Sequence, residues 1–502
     1  MTGESRFFPL PALRLNFQNS TSDFRIVETP LPRVGLVMRF ILCLLLALAF
    51  PAAAAEKPNV LFISIDDLND WTGKMKGHPQ AVTPNLDKLA DSGMLFTNTH
   101  CAAPACNPSR AALMTGIRPS TSGIYTNPEP WRQSPVLKDA KTIPQWFRDH
   151  GYSVFGSGKI YHGSFPDSQS WDFYWPDQKK NKPGDPRPEG LPLNGIPKTA
   201  HFDWGSHPNP TEEMGDWQVA EWVRGQLHKE HNKPFFVACG FYRPHLPWYA
   251  PEEYFEKFPL DEIVLPNVLE NDLADIPATG VEMAKPDGDH AKVVQHQQWK
   301  KAVQGYLACI HFVDDCVGHV IDGLESSPHA DNTIVVLWSD HGWHLGEKEH
   351  WRKFALWDEA TRVQMMWRVP GITEAGSSSN NAVNLLDIYP TLTELAGIPS
   401  NPAVEGNSLA TMLRDSSVRK SEPTLTTHGF QNHALRDQRW RYIRYADGTE
   451  ELYDHKNDPN EYTNLAGKKK SAEQITRLKR FLPEVNADPL RASRKRGKNK
   501  KP

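Results

Sequence analysis

A cysteine and an arginine four residues apart could act together on a negatively charged ester. Cys106 precedes Asn107-Pro108, a turn-forming pair, and a helix is predicted from about Ser109. The N-terminus of a helix stabilises negative charge, and Arg110 adds a fixed cation. This setting suits a nucleophile that attacks an anionic ester. A buried structural cysteine before a capped helix is the alternative interpretation of the same residues.

Two acidic sites come directly after predicted buried strands. Residues 59–65, NVLFISI, end in Asp66-Asp67, and residues 333–339, TIVVLWS, end in Asp340-His341. Adjacent carboxylates are costly unless a cation accompanies them, so the first pair predicts a divalent-metal site. Because open α/β sheets place functional residues past the carboxyl ends of their strands, both acidic sites and the Cys106 turn could converge on one cation.

Buried strands and amphipathic helices alternate along the chain that carries these residues. The predicted strands cover 59–65, 95–100, 152–155, 235–241 and 333–339, and the predicted helices cover 83–90, 142–148 and 300–324 in addition to the one after Cys106. Alternation of this kind predicts an α/β domain with a mostly parallel or mixed sheet. Residues 166–215 are rich in Pro, Gly, Asp and Trp without periodicity, which predicts long loops over the site.

The pattern changes at about residue 423. Residues 433–445 and 451–454 flank the turn Asp447-Gly448, which predicts a hairpin in a small antiparallel sheet, packed by a helix near 471–481. We therefore predict a catalytic domain at 56–422 and a C-terminal subdomain at 423–490. The tail at 491–502 has seven basic residues in twelve. We predict a solvated, disordered tail, with polyanion contact as the alternative.

Residues 38–55 have the organisation of a signal peptide. Met38-Arg39 form a basic start, residues 40–50 are apolar, and Ala52–Ala55 offer small residues for cleavage. The apolar run is short for a transmembrane span, and a hydrophobic anchor is the alternative. We expect Met38 to be the true start and 1–37 to be a mis-called extension. The mature protein is then periplasmic or secreted, with no stable membrane span.

Composition limits the class of protein further. A chain of 502 residues with 39% hydrophobic and 23% charged residues can bury a large core, as a soluble enzyme does. A net charge of −4 is too close to neutral for a dedicated nucleic-acid binder, so nucleic acid is not an expected partner. Five cysteines remain once the signal peptide is removed, and this odd number fits one chemically special cysteine.

Residues 106–119, CNPSRAALMTGIRP, resemble the signature of type I sulfatases, Cys-x-Pro-Ser-Arg-x-x-x-Leu/Met-Thr-Gly. In that family the cysteine is oxidised after translation to Cα-formylglycine, which makes a formylglycine-generating or other sulfatase-maturing enzyme an expected partner. Residues 339–347, SDHGWHLGE, are most similar to iduronate-2-sulfatases and their bacterial relatives. The resemblance runs from about 58 to 466. It implies an alkaline-phosphatase-like fold, a large mixed sheet flanked by helices with a smaller C-terminal antiparallel sheet.

The resemblance also implies a metal site. In the family, two N-terminal aspartates, the modified cysteine and a later Asp with its neighbour bind calcium, which here indicates Asp66, Asp67, Cys106, Asp340 and His341. Magnesium is the alternative cation. The neighbour is often Asn in the family, and a histidine is an unusual ligand for a hard cation. His341 is therefore either a ligand or a residue that lies next to the ligands.

Further matching segments imply how sulfate would be bound and cleaved. They are GKIYH at 158–162, FYRPHLP at 241–247 and HWRKF at 350–354, which supply Lys159, His162, His245 and Lys353. The metal, the two lysines and Arg110 would hold the negative oxygens of a sulfate monoester.

The implied chemistry uses a hydrated aldehyde at position 106. One of its hydroxyls would attack sulfur with Asp340 as the base, while His245, with His162 next, would protonate the departing alcohol. The other hydroxyl would then expel sulfate and regenerate the aldehyde. The expected substrate is a sulfated carbohydrate, with a 2-sulfated uronate at a chain end as the specific case. The loops at 166–215 would form part of the pocket wall.

Two other functions fit parts of this sequence. A phosphodiesterase or phosphonate monoester hydrolase of the same superfamily can share the Cys-x-Pro-Ser-Arg motif. A non-catalytic binder of sulfated glycans would leave Cys106 unmodified. The binder is disfavoured because it need not keep a nucleophile apparatus, which is intact here at Asp66, Asp67, Arg110 and Asp340.

Overall fold

A computed structural model describes residues 57–199 and 201–490 of the chain. The predicted N-terminal extension at 1–37, the signal peptide at 38–55 and the basic tail at 491–502 lie outside these residues. Among the described residues, no helix combines the length and the apolar character needed to cross a lipid bilayer.

Nineteen strands and thirteen α-helices make up the regular structure of the described residues. The strands are β1 (Asn59–Asp66), β2 (Met94–Phe96), β3 (Thr99–His100), β4 (Ser153–Gly158), β5 (Phe173–Trp175), β6 (Trp204–His207), β7 (Phe235–Pro244), β8 (Trp248–Pro251), β9 (Thr333–Ser339), β10 (His344–Leu345), β11 (Trp351–Arg352), β12 (Arg362–Val363), β13 (Met365–Arg368), β14 (Ser377–Ser379), β15 (Val383–Asn384), β16 (Thr424–Thr427), β17 (His433–Arg436), β18 (Trp440–Arg444) and β19 (Glu450–Asp454). The α-helices are α1 (Pro84–Asp91), α2 (Cys106–Thr115), α3 (Pro119–Ser122), α4 (Ile143–Asp149), α5 (Gly215–Leu227), α6 (Glu252–Phe255), α7 (Ala278–Ala284), α8 (Ala291–Gln295), α9 (Trp299–Glu325), α10 (Asp358–Thr361), α11 (Ile388–Leu395), α12 (Ala410–Arg414) and α13 (Ala472–Lys479).

The central sheet has eight strands in the order β14-β2-β13-β9-β1-β7-β4-β5. Strands β9, β1, β7, β4 and β5 run parallel, whereas β13 is antiparallel to both of its neighbours. The predicted large mixed sheet is therefore confirmed. Every residue of β1 is buried, as expected for a strand covered on both faces.

Helices cover both faces of this sheet. Successive side chains of a strand point to opposite faces, so Leu61 and Ile63 pack in the core that includes α5 and α9, and Val60 and Phe62 pack in the core that includes α2, α4 and α11. Helix α9 begins and ends within one residue of the predicted helix at 300–324. The strand predicted at 95–100 is divided instead, because β2 joins the central sheet and β3 pairs with β12 and β15 in another.

The C-terminal region forms the expected antiparallel sheet, with four strands in the order β16-β17-β18-β19. The predicted strand at 433–445 is two strands, because Asp437 accepts hydrogen bonds from the amides of Arg439 and Trp440 and so closes a turn between β17 and β18. Helix α13 packs on this sheet through Ile475 and Leu478.

Acid is expected to destabilise this C-terminal region through His433. The buried ring donates from Nε2 to Asn486 Oδ1 at 2.9 Å and lies 3.0 Å from the Thr427 hydroxyl, and burial lowers the pKa of His433 from 6.5 to about 4. The folded state thus favours the neutral ring. The neutral His433 ring contributes fully to the free energy of unfolding above pH ~6.5. Up to about 3 kcal/mol of this free energy is lost as the pH falls toward 4, because the unfolded chain then binds a proton that the folded state disfavours.

Thermal unfolding measured between pH 8 and pH 4.5 tests this expectation. In His433→Gln the amide can take over the two hydrogen bonds without titrating, so the variant should lose less of its melting temperature on acidification than the parent protein. Identical losses in the two proteins would assign the acid sensitivity to other groups.

Candidate active site

The predicted site residues meet at one edge of the central sheet. Strands β4, β7, β1 and β9 are mutually parallel, so their carboxyl ends lie at the same edge. Asp66 is the last residue of β1, and three predicted residues follow the other strand ends, namely Lys159, His245 and Asp340. Helix α2 begins at Cys106, three residues earlier than predicted. The structure thus assembles residues that lie far apart in the sequence.

The position of Lys159 depends on a close approach between two strands. Gly158, with φ of +79°, lies against Gly240 of β7, and a Cβ on Gly158 would come 1.8 Å from the Gly240 carbonyl oxygen. The Lys159 amide donates to that same oxygen at 2.8 Å. Only glycine fits at Gly158, and its absence of a side chain lets β4 end where Lys159 enters the site.

Cations surround the sulfur of Cys106. Lys353 Nζ lies 3.0 Å, His341 Nε2 3.4 Å and Lys159 Nζ 4.0 Å from Sγ. Burial alone would raise the pKa of the thiol, but the two lysines, His341 and a hydrogen bond from His162 outweigh it and hold the pKa well below its ordinary value. A negatively charged group at position 106 is therefore strongly stabilised.

Arg110 organises the carboxylates beneath Cys106. Its Nη2 donates to Asp66 at 3.1 Å and its Nε donates to Asp340 at 2.8 Å, while Nη1 donates to the carbonyls of Lys159 and Ile160. Burial penalises the charged form of Asp66, yet Lys159 and the other nearby cations hold its pKa below the ordinary value. All three guanidinium nitrogens are thus engaged inside the protein, so the structure favours a positioning role for Arg110 over direct contact with a substrate.

Asp340 and His341 form an interacting pair. His341 Nε2 lies 3.5 Å from Asp340 Oδ2 and 3.3 Å from Asp67 Oδ1. Burial raises the pKa of Asp340 to about 6, because it outweighs the attraction of Arg110. Burial opposes the charge on His341, but Asp340 raises the pKa of the imidazole to about 9. A carboxylate with a pKa near 6 is suited to proton transfer close to neutral pH.

The two other predicted histidines lie around the same centre. His245 Nδ1 donates to the Leu246 carbonyl at 2.6 Å, which leaves Nε2 directed toward Asp67, 3.9 Å from Oδ2. His162 lies beside Cys106, and its Nδ1 is buried without a partner among the described residues. His245 therefore directs Nε2 toward this centre, and His162 reaches Cys106 through a hydrogen bond.

Two residues near the site were not singled out from the sequence. The Tyr242 ring lies 4.7 Å from Lys159 Nζ and 4.7 Å from the His245 ring. The His201 ring lies 6.3 Å from that of His245 and belongs to the long loops predicted to form a pocket wall. Tyr242 could have been identified from the sequence, because it lies within the matching segment FYRPHLP. His201 could not, because it is an isolated histidine in an irregular loop.

The buried donor set could hold a divalent cation. Ligand atoms of Asp66, Asp67, Cys106 and His341 lie within 4.8 Å of one another, and all four residues are buried. Asp67 Oδ2 has no hydrogen-bond partner among the described residues, which is costly for a buried carboxylate oxygen unless a cation is present. Asp67 also has φ of +62°, an unusual conformation for a residue other than glycine. Asp340 is held next to this group by Arg110.

The fold is of the alkaline-phosphatase-like class, with a large mixed sheet, flanking helices and a small C-terminal antiparallel sheet. The chain belongs to the sulfatase family, which it matches over residues 58–398. Residues 346–488 also match the C-terminal region described for N-sulphoglucosamine sulphohydrolase. The protein is accordingly a sulfuric ester hydrolase, as the cysteine motif predicted.

Individual relatives agree with this assignment. A sulfatase of Formosa agariphila is 40% identical over 446 residues, which cover 86% of this chain and 87% of that protein. The iduronate 2-sulfatase of Mus musculus is 31% identical over 400 residues, 70% of each chain. The solved structure of BT4656 with its substrate D-glucosamine-2-N,6-O-disulfate superposes with a TM-score of 0.69 at 21% identity, covering 85% of this chain and 97% of that one. The predicted similarity to iduronate-2-sulfatases and bacterial sulfatases is confirmed.

Proposed function

We propose that this sulfatase removes sulfate from a sulfated carbohydrate, using Cα-formylglycine at position 106 and one calcium ion. The observation that carries the proposal is the buried arrangement of Lys353, His341 and Lys159 within 4.0 Å of the side chain at 106. Such a site stabilises negative charge on a bound group and on a nucleophile together.

Asp66, Asp67 and His341 would hold the calcium ion together with the side chain at position 106, and Asp340 would lie beside it. Bound calcium supplies positive charge that stabilises the oxygens of the sulfate group and of the nucleophile, and magnesium is the alternative. Lys159 and Lys353 would bind the sulfate oxygens, since both side chains already point toward Cys106. Arg110 keeps Asp66 and Asp340 in place.

The proton transfers are assigned to the titratable groups around position 106. Formylglycine supplies, as its hydrate, two hydroxyls on one carbon, so that one can attack sulfur and the other can later expel sulfate and restore the aldehyde. Asp340, with its pKa near 6, accepts the proton of the attacking hydroxyl. His245 donates a proton to the alcohol oxygen as the bond from that oxygen to sulfur breaks, with His162 as the second candidate donor.

A carbohydrate substrate is supported by two of the relatives. One is named for iduronate and another was solved with a sulfated glucosamine as its substrate. The signal peptide expected at 38–55 would place the enzyme in the periplasm or outside the cell, where sulfated polysaccharides are available, and we propose that location. Within this class, the similarity to iduronate-2-sulfatases favours a 2-sulfated uronate at a chain end.

A panel of defined sulfate esters tests the proposed function. Sulfate release from 2-sulfated uronate oligosaccharides should exceed release from positional isomers, and aryl sulfates should be cleaved faster than aryl phosphates and phosphonates. Release from choline sulfate or alkyl sulfates with none from any saccharide would contradict the carbohydrate assignment. Faster cleavage of phosphate or phosphonate esters would favour the phosphonate hydrolase alternative.

Lys353→Met is expected to lower kcat/KM for an aryl sulfate by about 10²–10³-fold and, because it breaks a buried ion pair, also to lower the melting temperature. Its ammonium lies 2.7 Å from Asp67 Oδ1 and 3.0 Å from Cys106 Sγ, so the change removes a positive charge aimed at the reaction centre. Steady-state kinetics and thermal unfolding of the purified variant measure the two effects separately.

Lys348→Met is the matched control for this substitution. Lys348 is also buried and pairs with a buried aspartate, Asp272, at 2.7 Å, but it lies outside the site. This variant should lose melting temperature and keep its kcat/KM. Comparable activity in both variants would mean that Lys353 does not bind the sulfate group.

A further inference from the structure

A cavity of about 640 Å³ lies beside the segment that carries Lys353 and is not used by the chemistry described above. The side chains that matter for its character are Lys285, Asp289, Arg352, Phe354, His428 and Asn432. Its walls come from α7 and the turn that follows, from the Lys353 segment, and from the connection between β16 and β17.

Phe354 lines the cavity and also lies close to the reaction centre. The centroid of its ring lies 5.9 Å from Lys353 Nζ, which is itself 3.0 Å from Cys106 Sγ. The Phe354 amide donates to the Pro104 carbonyl at 3.1 Å, two residues before Cys106. These two distances place the ring centroid within about 9 Å of the Cys106 sulfur, close enough to contact the sugar that neighbours a sulfate-bearing one.

The backbone around Lys353 directs neighbouring side chains to opposite sides. Arg352 and Phe354 have φ values of +83° and +72°, which are unusual for residues other than glycine. This conformation turns Lys353 toward Cys106 while both flanking side chains line the cavity. The cavity wall and Lys353 are therefore neighbouring parts of one backbone segment, with their side chains on opposite sides.

The wall of the cavity combines aromatic faces with polar groups that can exchange hydrogen bonds. The rings of Phe354 and His428 lie 6.1 Å apart. His428 Nδ1 is buried and has no partner among the described residues. Burial lowers the pKa of His428 to about 4, so the ring is neutral near pH 7 and can donate from one nitrogen and accept at the other.

The charges that face the cavity balance one another. Arg352 Nε donates to Asp289 at 2.5 Å. The cavity is also lined by one further lysine, Lys285, and one further acid, Glu282. A balanced wall with aromatic faces suits a ring that bears hydroxyl groups better than a second sulfate group, which would need an excess of positive charge.

We propose that this cavity is the subsite for the uncharged sugar that neighbours the sulfate-bearing one, with the sugar stacked on Phe354 and hydrogen-bonded to His428. The proposal rests on the proposed carbohydrate function and adds that the enzyme recognises at least two sugar residues. A monosaccharide sulfate would leave the cavity unused.

Kinetics of Phe354→Ala on a matched pair of substrates tests the subsite. The pair is a monosaccharide sulfate and the disaccharide in which the same sulfated sugar is linked to a neutral one. The variant should lose about tenfold in kcat/KM on the disaccharide, because a stacking contact is worth about one order of magnitude, and change little on the monosaccharide. If the alanine variant folds poorly, Phe354→Leu replaces it in the test. Leucine keeps the apolar volume but lacks a flat face, so this variant should show the same selective loss on the disaccharide.

Phe173→Ala is the control, because Phe173 is 53% exposed and does not line the cavity. Equal losses of kcat/KM on both substrates would mean that Phe354 supports Lys353, and would overturn the proposed subsite. The absence of any loss on the disaccharide would also overturn it. Failure of the proposed carbohydrate function gives a different result. The parent enzyme would then cleave an aryl sulfate but neither of the two saccharides.

Discussion

Cys106→Ala is expected to abolish sulfate-ester hydrolysis, with a fall in kcat of at least about 10⁴-fold. Removing the side chain at position 106 removes the proposed nucleophile, and the lysines and carboxylates around it cannot replace the bond that it forms to sulfur. The fold should survive, because the alanine fits the volume that Cys106 fills at the start of α2. Aryl sulfate kinetics and thermal unfolding give the two readouts.

Cys101→Ala is the matched control for this experiment. Cys101 is also fully buried, but its sulfur lies near the Ala360 carbonyl, and burial raises the pKa of its thiol well above the ordinary value. This variant should retain activity. Mass spectrometry of the parent protein should show a peptide in which Cys106 has exchanged sulfur for oxygen and lost two hydrogens. Full activity in a preparation that contains only the thiol would contradict the proposed nucleophile.

Removal of divalent cations is expected to eliminate activity, and calcium is expected to restore it. Asp66 and Asp67 are adjacent, buried and aimed at one point, and without a cation their charges oppose the binding of an anionic ester. Calcium should also raise the melting temperature of the chelated protein, since saturation at about 100 times the dissociation constant adds about 2.7 kcal/mol to the free energy of unfolding. Thermal unfolding thus gives a readout that does not depend on activity.

Asp67→Asn separates binding at this site from a general effect of calcium. The amide keeps the size of the side chain but loses its charge, so the melting temperature of this variant should respond little to calcium. The control variant Asp91→Asn changes an exposed aspartate that pairs with Lys74 at the surface, and its calcium response should match the parent protein. Restoration of activity by zinc alone would contradict a hard-cation site.

Much of the candidate site could be predicted because its residues lie in short local segments. Asp66 and Asp340 follow buried strands, and the Cys106 segment has its own signature. The role of Arg110 could not be predicted in this way. Its hydrogen bonds to Asp66, Asp340 and two carbonyls depend on three segments that meet only in the folded chain.

The fold, too, was predictable where it depends on local sequence and not where it depends on contacts between distant segments. The helix at 299–325 was predicted to within one residue at each end, because its apolar periodicity is strong over its whole length. The strand predicted at 95–100 was divided, because β2 and β3 pair with partners more than 260 residues away. The left-handed backbone at Asp67 and Phe354 likewise depends on distant packing, so periodicity and propensity carry no sign of it.

The burial of Cys106 sets an order of events for the proposed maturation. Its side chain is only 1% exposed, and the residues that follow it through Thr115 are buried with it. An enzyme that oxidised Cys106 would have to reach this segment, and the folded chain leaves no access to it. Oxidation would therefore compete in time with folding. On this proposal, slower folding in the presence of the maturing enzyme should increase the fraction of active molecules.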